Sequence, residues 1–361
     1  MRIVDKHITG HVTLAYVFAM LVFVGLYCIA DMFGALSDIL KTKPSLEILA
    51  AYYLYTLPFI ALQVSPFCVL IAVLYSFGEF NKDNELVALR AAGLSSRRII
   101  VPAITLAFTL SCLALLTQEK VLIYSQMAAE NIKSQFIKKE SLGTEEKNVI
   151  FSSKSSMLYA RRFDHKKGAL YDVILFKGDE SSILAQKLAC QTAYWRDNRW
   201  VGENVVEYTL DQQGGISGQP TQTASAVLDI DESPRQILLK KTLLAEFAPL
   251  RSIIKEIKWF RRINAPGVVA ALKVDYQQRL AQPLANFFLV LGVIPAAIHI
   301  RKRKVTLSAM GMGFIFAFLY YLLSSMGTNL GKTGLFTPVL GAWLAPLFFS
   351  TAGLAGMWAV K

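Results

Sequence analysis

Three stretches of the sequence combine residue types that could do chemistry, and each pattern is incomplete. His7 and His11 share a helix face, as two metal ligands do, but no further histidine, cysteine or carboxylate cluster completes a tetrahedral set. Residues 327–333, GTNLGKT, have three residues between their glycines, where a phosphate-binding loop has four. The GMG at 311–313 lacks the third glycine of a dinucleotide fingerprint. We interpret these stretches as interfacial histidines, a connection between two apolar runs, and a surface for close helix packing.

Four charged residues near the ends of apolar runs are candidates for lipid contact. No nucleophile with a base and an orienting group appears in the sequence, so no internal active site is predicted. Asp31 lies inside the first apolar run, where a carboxylate is a functional hypothesis by default. Lys41, Lys43 and Arg279 flank apolar runs and can pair with lipid phosphates. Snorkelling to water explains Asp31 equally well, and interface anchoring explains the three cations, so both interpretations stay open.

The elements that position these residues are long apolar runs. The chain has 361 residues, of which 54% are apolar and 18% charged, against about 25% charged in soluble proteins. Six runs exceed the ~18 apolar residues of a membrane-spanning helix. They cover residues 12–36, 48–77, 99–117, 280–300, 305–327 and 336–360. The sequence therefore predicts six transmembrane helices, the first of them a retained span and not a cleaved signal peptide.

Basic residues in the short connections predict the orientation. Eleven lysines and arginines lie on the side that holds both termini, and three lie on the other side. Because cytoplasmic connections carry the excess of positive charge, the termini are expected in the cytoplasm. Topology thus accounts for much of the net charge of +12, which is not a nucleic-acid footprint. The eleven residues are Arg2, Lys6, Lys82, Arg90, Arg97, Arg98, Arg301, Lys302, Arg303, Lys304 and Lys361.

An insertion of about 160 residues separates the third and fourth runs, and it shows period-two alternation. Turn residues divide it into short strands, which predict a small antiparallel sandwich or roll. Cys190 is the insertion's single cysteine, so this domain has no internal disulfide and must be held by its core. The predicted strands are 149–151, 157–163, 170–176, 184–195, 199–210 and 223–230.

After these strands, residues 250–263 predict an amphipathic helix with isoleucines on one side and lysines and arginines on the other. Two placements remain open from the sequence. The helix can lie on lipid headgroups, or it can pack its apolar face on the outer domain.

A polar stretch between the second and third runs predicts a short helix. Asn81 or Asp83 can cap its start, Gly93 suits the left-handed position at its end, and Ser95 or Ser96 can cap the next helix. The helix is expected to expose Glu85, Leu86, Leu89 and Arg90 to the cytosol. Two interpretations remain: a rigid element that transmits a push to both spans, or an interfacial loop without a partner.

Four quoted stretches resemble one family. The NELVALRAAGLS at 84–95 resembles the cytoplasmic coupling segment of lipopolysaccharide export permeases, the LptF/LptG family. RIVDKHI, YQQRLAQPLANFFLVLGVIPAAIHIRKRK and GLFTPVLGAWLAPLFF are similar to its opening, fourth span and last span. The first and last of these lean slightly toward LptG. The resemblance implies an α-helical membrane protein with six transmembrane helices and an all-β, jellyroll-like periplasmic domain inserted between helices 3 and 4.

The resemblance also implies partners and site residues. Members pair as a heterodimer of homologous permeases, bind a cytosolic ATPase dimer (LptB), and extract lipopolysaccharide toward periplasmic jellyroll proteins such as LptC and LptA. ATP and Mg²⁺ belong to the ATPase, so this chain is expected to bind no cofactor and catalyse no reaction. The family's coupling helix corresponds here to Asp83, Glu85, Leu86, Leu89, Arg90 and Gly93. Its lipid cavity corresponds to Asp31, Lys41, Lys43 and Arg279, although some members carry a basic residue deep in the first span where this chain has Asp31.

These observations favour an inner-membrane transporter subunit with three regions. Residues 1–118 are expected to hold helices 1–3, with a coupling helix at about 80–97. Residues 119–276 hold the periplasmic domain, and residues 277–361 hold helices 4–6. The alternative is a non-enzymatic scaffold for periplasmic partners, for which substitutions of Glu85 or Arg90 would be harmless. The transporter predicts that Leu86→Asp is especially harmful, since it would bury a charge at a helix-in-groove contact.

Overall fold

The computed structural model divides the chain into two compact units. The helix unit comprises residues 1–129, 250–261 and 265–361, and the sheet unit comprises residues 130–249 and 262–264. The structure describes residues 3–133, 136, 145–152, 156–164, 167–178, 184–196, 199–210, 216–228, 230, 233–234, 250–262, 266–298 and 305–359.

The described helices confirm the six-span prediction. Helices α1, α3, α5, α10 and α11 are each long and apolar enough to cross a membrane, and α8 with α9, bent by 62° at a short break, gives the sixth when the pair is counted as one span. Pro283 lies in the break of this bent span, where its missing N–H ends the helical ladder. The helices are α1 (Ile3–Gly34), α2 (Leu36–Thr42), α3 (Leu46–Lys82), α4 (Glu85–Ala91), α5 (Ser96–Lys120), α6 (Leu122–Ile132), α7 (Leu250–Arg262), α8 (Pro266–Ala281), α9 (Ala285–Ile298), α10 (Val305–Lys332) and α11 (Pro338–Ala359).

Successive spans alternate in direction, which gives the bundle two sides. The terminal side holds the start of α1, the short helix α4 and the end of α11. The insertion side holds α2 and the points where the chain leaves for the β-strands and returns from them.

Helix α3 lies at the centre of the helix unit, and α1 lies at its edge. In the most apolar window of α3, 56% of residues are buried, against 11% in α1. Val69, Leu74 and Phe77 of α3 pack with Leu289 and Ile294 of α9 in one core. Most of the apolar surface of α1 is therefore left to lipid or to another subunit.

Glycines allow α9, α10 and α11 to approach closely. A Cβ on Gly353 would lie 2.2 Å from the carbonyl oxygen of Leu291, and one on Gly327 would lie 2.3 Å from that of Gly341. Gly327 and Gly331 thus lie in the last turns of α10, so the expected connection at 327–333 is mostly helix, and its glycines serve packing. At GMG, a Cβ on Gly313 would meet Ile71 at 2.9 Å, which confirms helix packing at that residue.

The insertion forms a six-stranded antiparallel sheet. Its strands are β1 (Glu145–Ser152), β2 (Ser156–Asp164), β3 (Ala169–Gly178), β4 (Leu184–Arg196), β5 (Arg199–Leu210) and β6 (Ile216–Leu228). The order β1-β2-β3-β4-β5-β6 is an up-and-down meander, and each neighbouring pair is antiparallel. An all-β insertion is confirmed. The predicted turn between β4 and β5, Asp197–Asn198, lies outside the described residues.

One face of the sheet carries the core of this unit. Leu158, Val173 and Leu175 alternate with more exposed neighbours along β2 and β3, as period-two patterning requires. Trp200 is fully buried and meets Phe163 and Trp195 edge to face. These large rings supply the apolar contact area that holds a domain without a disulfide.

Candidate functional site

Helix α4, between the second and third spans, begins without a side-chain cap. Asn84 is its N-cap, with φ +60° and no side-chain cap hydrogen bond. The prediction that Asn81 or Asp83 caps this helix is wrong, because both residues have other roles. Asp83 ends α3, and the Asn81 amide donates to the carbonyl of Ile298 at the end of α9. Asn81 thereby ties the start of this connection to the fourth span.

The end of α4 matches the prediction. Gly93 adopts φ +86°, its N–H donates to the Arg90 carbonyl at 2.9 Å, and the Leu94 N–H donates to the Leu89 carbonyl at 3.1 Å. This pattern stops a helix and turns the chain. Ser95 then caps α5, where its hydroxyl accepts from the Arg98 N–H at 3.3 Å. These two stops make α4 a separate short helix between α3 and α5.

We expect Gly93→Ala to lower the stability of the helix unit by about 1–2 kcal/mol, because an L-residue is strained in the left-handed conformation. Space is not the cause, since a Cβ at Gly93 would meet nothing within 4 Å. Thermal unfolding in mild detergent measures the change. Gly25→Ala is the matched control, as it also has free space but lies inside a helix. Equal unfolding midpoints for Gly93→Ala and Gly25→Ala would show that the left-handed conformation at Gly93 does not cause the loss of stability.

The faces of α4 differ from the sequence expectation. Leu86 is only 2% exposed and belongs to the core of the helix unit, and Leu89 packs against the same core. The expectation that Leu86 faces the cytosol is therefore wrong. Val87 is 53% exposed, and it shares the outer surface of α4 with Ala88, Arg90 and Ala91. The surface offered to a partner consists of these four residues, which we call the outer face of α4.

Polar contacts bind the first turns of α1 to this connection. His7 Nε2 lies 3.1 Å from Glu85 Oε2, so the ring N–H can donate to the carboxylate. Asp5 forms an ion pair with Arg98 at the start of α5. The His7 ring also packs on Phe80 of α3, with 5.6 Å between ring centroids. At the terminal side, α1 therefore contacts α4, α5 and α3 through these side chains.

His7 and His11 lie side by side on α1. Their ring centroids are 5.8 Å apart. Within the described part of the chain, no group of three or more histidines, cysteines, aspartates or glutamates is placed to hold a metal ion.

On the insertion side, the residues selected for lipid contact lie in different surroundings. Asp31 is half-buried and accepts a hydrogen bond from the Tyr53 hydroxyl at 3.2 Å. Lys41 and Lys43 are exposed, and Lys43 ends α2 in a left-handed conformation while its N–H donates to the Ile39 carbonyl at 2.8 Å. The two lysines are therefore accessible cations at the insertion side.

Arg279 is half-buried among carboxylates. It interacts electrostatically with Asp275, Glu119 and Glu256, which come from α8, α5 and α7. Asp275 also pairs with Lys332, the last residue of α10, at 2.7 Å. A lipid phosphate at Arg279 would have to compete with these three carboxylates. The sequence shows the charges, but only the folded chain brings them together.

We expect Glu256→Gln to flatten the pH dependence of stability. Burial raises the pKa of the Glu256 carboxyl, and Arg279 opposes part of the rise. The protonated carboxyl therefore stabilises the folded chain at a pH below the unfolded pKa of about 4.3. This contribution is lost as the pH rises through the higher pKa of the folded state. Thermal unfolding between about pH 4 and pH 7 should show a smaller fall for Glu256→Gln than for the wild type. Glu203→Gln, an exposed control, should follow the wild-type curve; parallel curves for all three would refute the role of Glu256.

Six spans, a short helix α4 between the second and third spans, and a β-sheet domain inserted between the third and fourth spans define a multi-span membrane permease subunit. The family model described as lipopolysaccharide export system permease LptF/LptG matches residues 6–359. The chain belongs to this family, as the resemblance of its short motifs indicated. A comparison with curated protein sequences gave no match.

Proposed function

We propose that this chain is the permease subunit of an ABC transporter that extracts lipopolysaccharide from the inner membrane and passes it through its β-domain toward the outer membrane. ATP and Mg²⁺ are held by a cytosolic ATPase dimer, and a homologous permease completes the membrane part. Family membership supports the substrate and the transporter class. The observation that carries ATPase docking is α4, a separate short helix with an exposed outer face and a direct contact to α1 through Glu85 and His7.

The proposed orientation places the terminal side in the cytoplasm. The excess of lysine and arginine on that side supports it. The ATPase then meets the outer face of α4, and the β-sheet unit lies in the periplasm, where it hands lipopolysaccharide to jellyroll proteins such as LptC and LptA. Family members are generally non-catalytic subunits, and we infer that this chain likewise binds no cofactor.

Lys41 and Lys43 are the proposed contacts for lipid phosphates. Both are exposed, and both follow the first span on the insertion side. Charge-assisted hydrogen bonds to phosphate are about twice as strong as neutral ones. Asp31 and Arg279 are less accessible than the two lysines. Asp31 is hydrogen-bonded to Tyr53, and Arg279 lies among carboxylates, so we assign both residues to the wall of the cavity.

The test is ATP-driven transfer of lipopolysaccharide from vesicles to a soluble jellyroll acceptor. The vesicles contain this chain, the homologous permease and the ATPase. We expect transfer to require ATP, and Lys41→Gln with Lys43→Gln to lower transfer about tenfold while ATP hydrolysis continues. Lys167→Gln, which removes an exposed cation of the sheet unit, is the control. An assembled complex without ATP-dependent transfer would overturn the proposal and favour the scaffold.

A further inference from the structure

Helix α7 presents a stripe of four exposed cations. Arg251, Lys255, Lys258 and Arg261 recur every three or four residues, so they lie on one helix face. All four side chains are exposed, and none of the ion pairs between described residues includes them. At 1.5 Å per residue, the stripe is about 15 Å long. We call it the basic stripe.

The opposite face of α7 is covered by the protein itself. Ile253 is 3% exposed and Phe260 is 7% exposed, and residues 250–261 belong to the helix unit. This answers one question that the sequence left open. The apolar face is buried in the protein, so the helix keeps its place without inserting that face into lipid, and the basic stripe points away from the buried side.

The neighbours of α7 place it at the level where spans leave the membrane. Glu256, in the middle of α7, is half-buried and lies within electrostatic reach of Arg279. Arg279 in turn reaches Glu119 in the last turn of α5 and Asp275. Asp275 pairs with Lys332, the last residue of α10. The ends of two spans therefore lie beside the middle of α7, at headgroup depth on the insertion side.

We propose that the basic stripe binds the headgroups of anionic phospholipids in the leaflet on the insertion side. Each lysine or arginine close to an anionic membrane surface contributes about fivefold in affinity. Ile254 lies beside the stripe and is 39% exposed, and an apolar side chain next to cations is typical of helices at a lipid interface. An acidic protein would also be attracted by these charges. The position of α7 beside the ends of two spans, however, favours lipid headgroups as the partner. This inference is independent of the transported substrate.

The experiment uses the full chain in nanodiscs with equal amounts of phosphatidylglycerol and phosphatidylcholine. Native mass spectrometry after release counts the lipids of each kind that stay bound. We expect the wild type to retain an excess of phosphatidylglycerol. Lys255→Gln, Lys258→Gln and Arg261→Gln together should lower that excess on the order of tenfold, since salt screens part of the attraction. Higher ionic strength should reduce the wild-type excess in the same direction.

The control variant removes the same charge from the sheet unit, with Lys167→Gln, Arg196→Gln and Arg199→Gln at exposed positions. Cations on the terminal side contribute equally in all three proteins, and unfolding midpoints check that each is folded. Retention of the wild-type ratio by the control supports the proposal. An unchanged ratio in the α7 variant, or an equal fall in the control, overturns it. Loss of a co-purified acidic protein from the α7 variant, with an unchanged lipid ratio, also overturns it and assigns the stripe to that protein.

Discussion

Val87→Asp is expected to abolish co-purification of the cytosolic ATPase while the chain remains folded. Val87 is the large apolar side chain on the outer face of α4, and it is 53% exposed in the isolated chain. If this face enters a groove of the ATPase, an aspartate there would be buried without a partner, which costs about 2–5 kcal/mol. The affinity should therefore fall by at least about thirtyfold. Pull-down of the ATPase with the tagged chain from native membranes measures it.

Leu86→Asp separates docking from folding. Leu86 is buried in the core of the helix unit, so an aspartate there should destabilise the chain itself by several kcal/mol. We expect a lower unfolding midpoint for Leu86→Asp and a normal midpoint for Val87→Asp. Val87→Thr, similar in size and uncharged, should keep most of the binding. ATPase recovery with Val87→Asp at the wild-type level would show that α4 does not dock through this face.

Gly353→Ala is expected to lower the stability of the helix unit by about 2–3 kcal/mol, because one methyl group has no room where α11 crosses α9. The added Cβ would lie 2.2 Å from the Leu291 carbonyl oxygen and 3.0 Å from the Gly292 nitrogen. Both are backbone atoms, so no side chain can rotate away. The unfolding midpoint in mild detergent, or the yield of folded chain from membranes, measures the loss.

Gly311→Ala is the matched control for this crossing. Gly311 also lies within a span, and a Cβ there would meet nothing within 4 Å. Alanine favours helix over glycine by up to about 1 kcal/mol, so the control should be neutral or slightly stabilised. A similar loss in both variants would mean that helix propensity and not close packing governs these glycines.

Helix α1 leaves most of its apolar surface exposed in this chain. Only 11% of its most apolar window is buried within this chain. Under the proposed function, a homologous permease covers part of this surface, and His7 with Asp5 links the same helix to the connection that holds α4. Movement of the ATPase would thus reach the subunit interface through α1.

The sequence by itself determined the features that depend on local pattern. Apolar runs of sufficient length predicted the six spans, period-two alternation predicted the six strands, and Gly93 and Ser95 predicted the stop and start around α4. Each of these follows from hydrophobic burial or backbone conformation over a few neighbouring residues. The family motifs are local in the same sense.

Only the tertiary structure decided which face of each element is covered. Leu86 and Val87 are adjacent and similar in type, yet one is buried and the other exposed, because α3 and its neighbours lie on one side of α4. The sequence suggested that Arg279 is accessible to lipid, whereas in the fold it interacts with three carboxylates from three helices. The glycines of 327–333 suggested a loop in the sequence, whereas in the fold Gly327 and Gly331 are helical and pack against α11. In each case the deciding contacts include other helices, and local patterns do not encode how those helices pack.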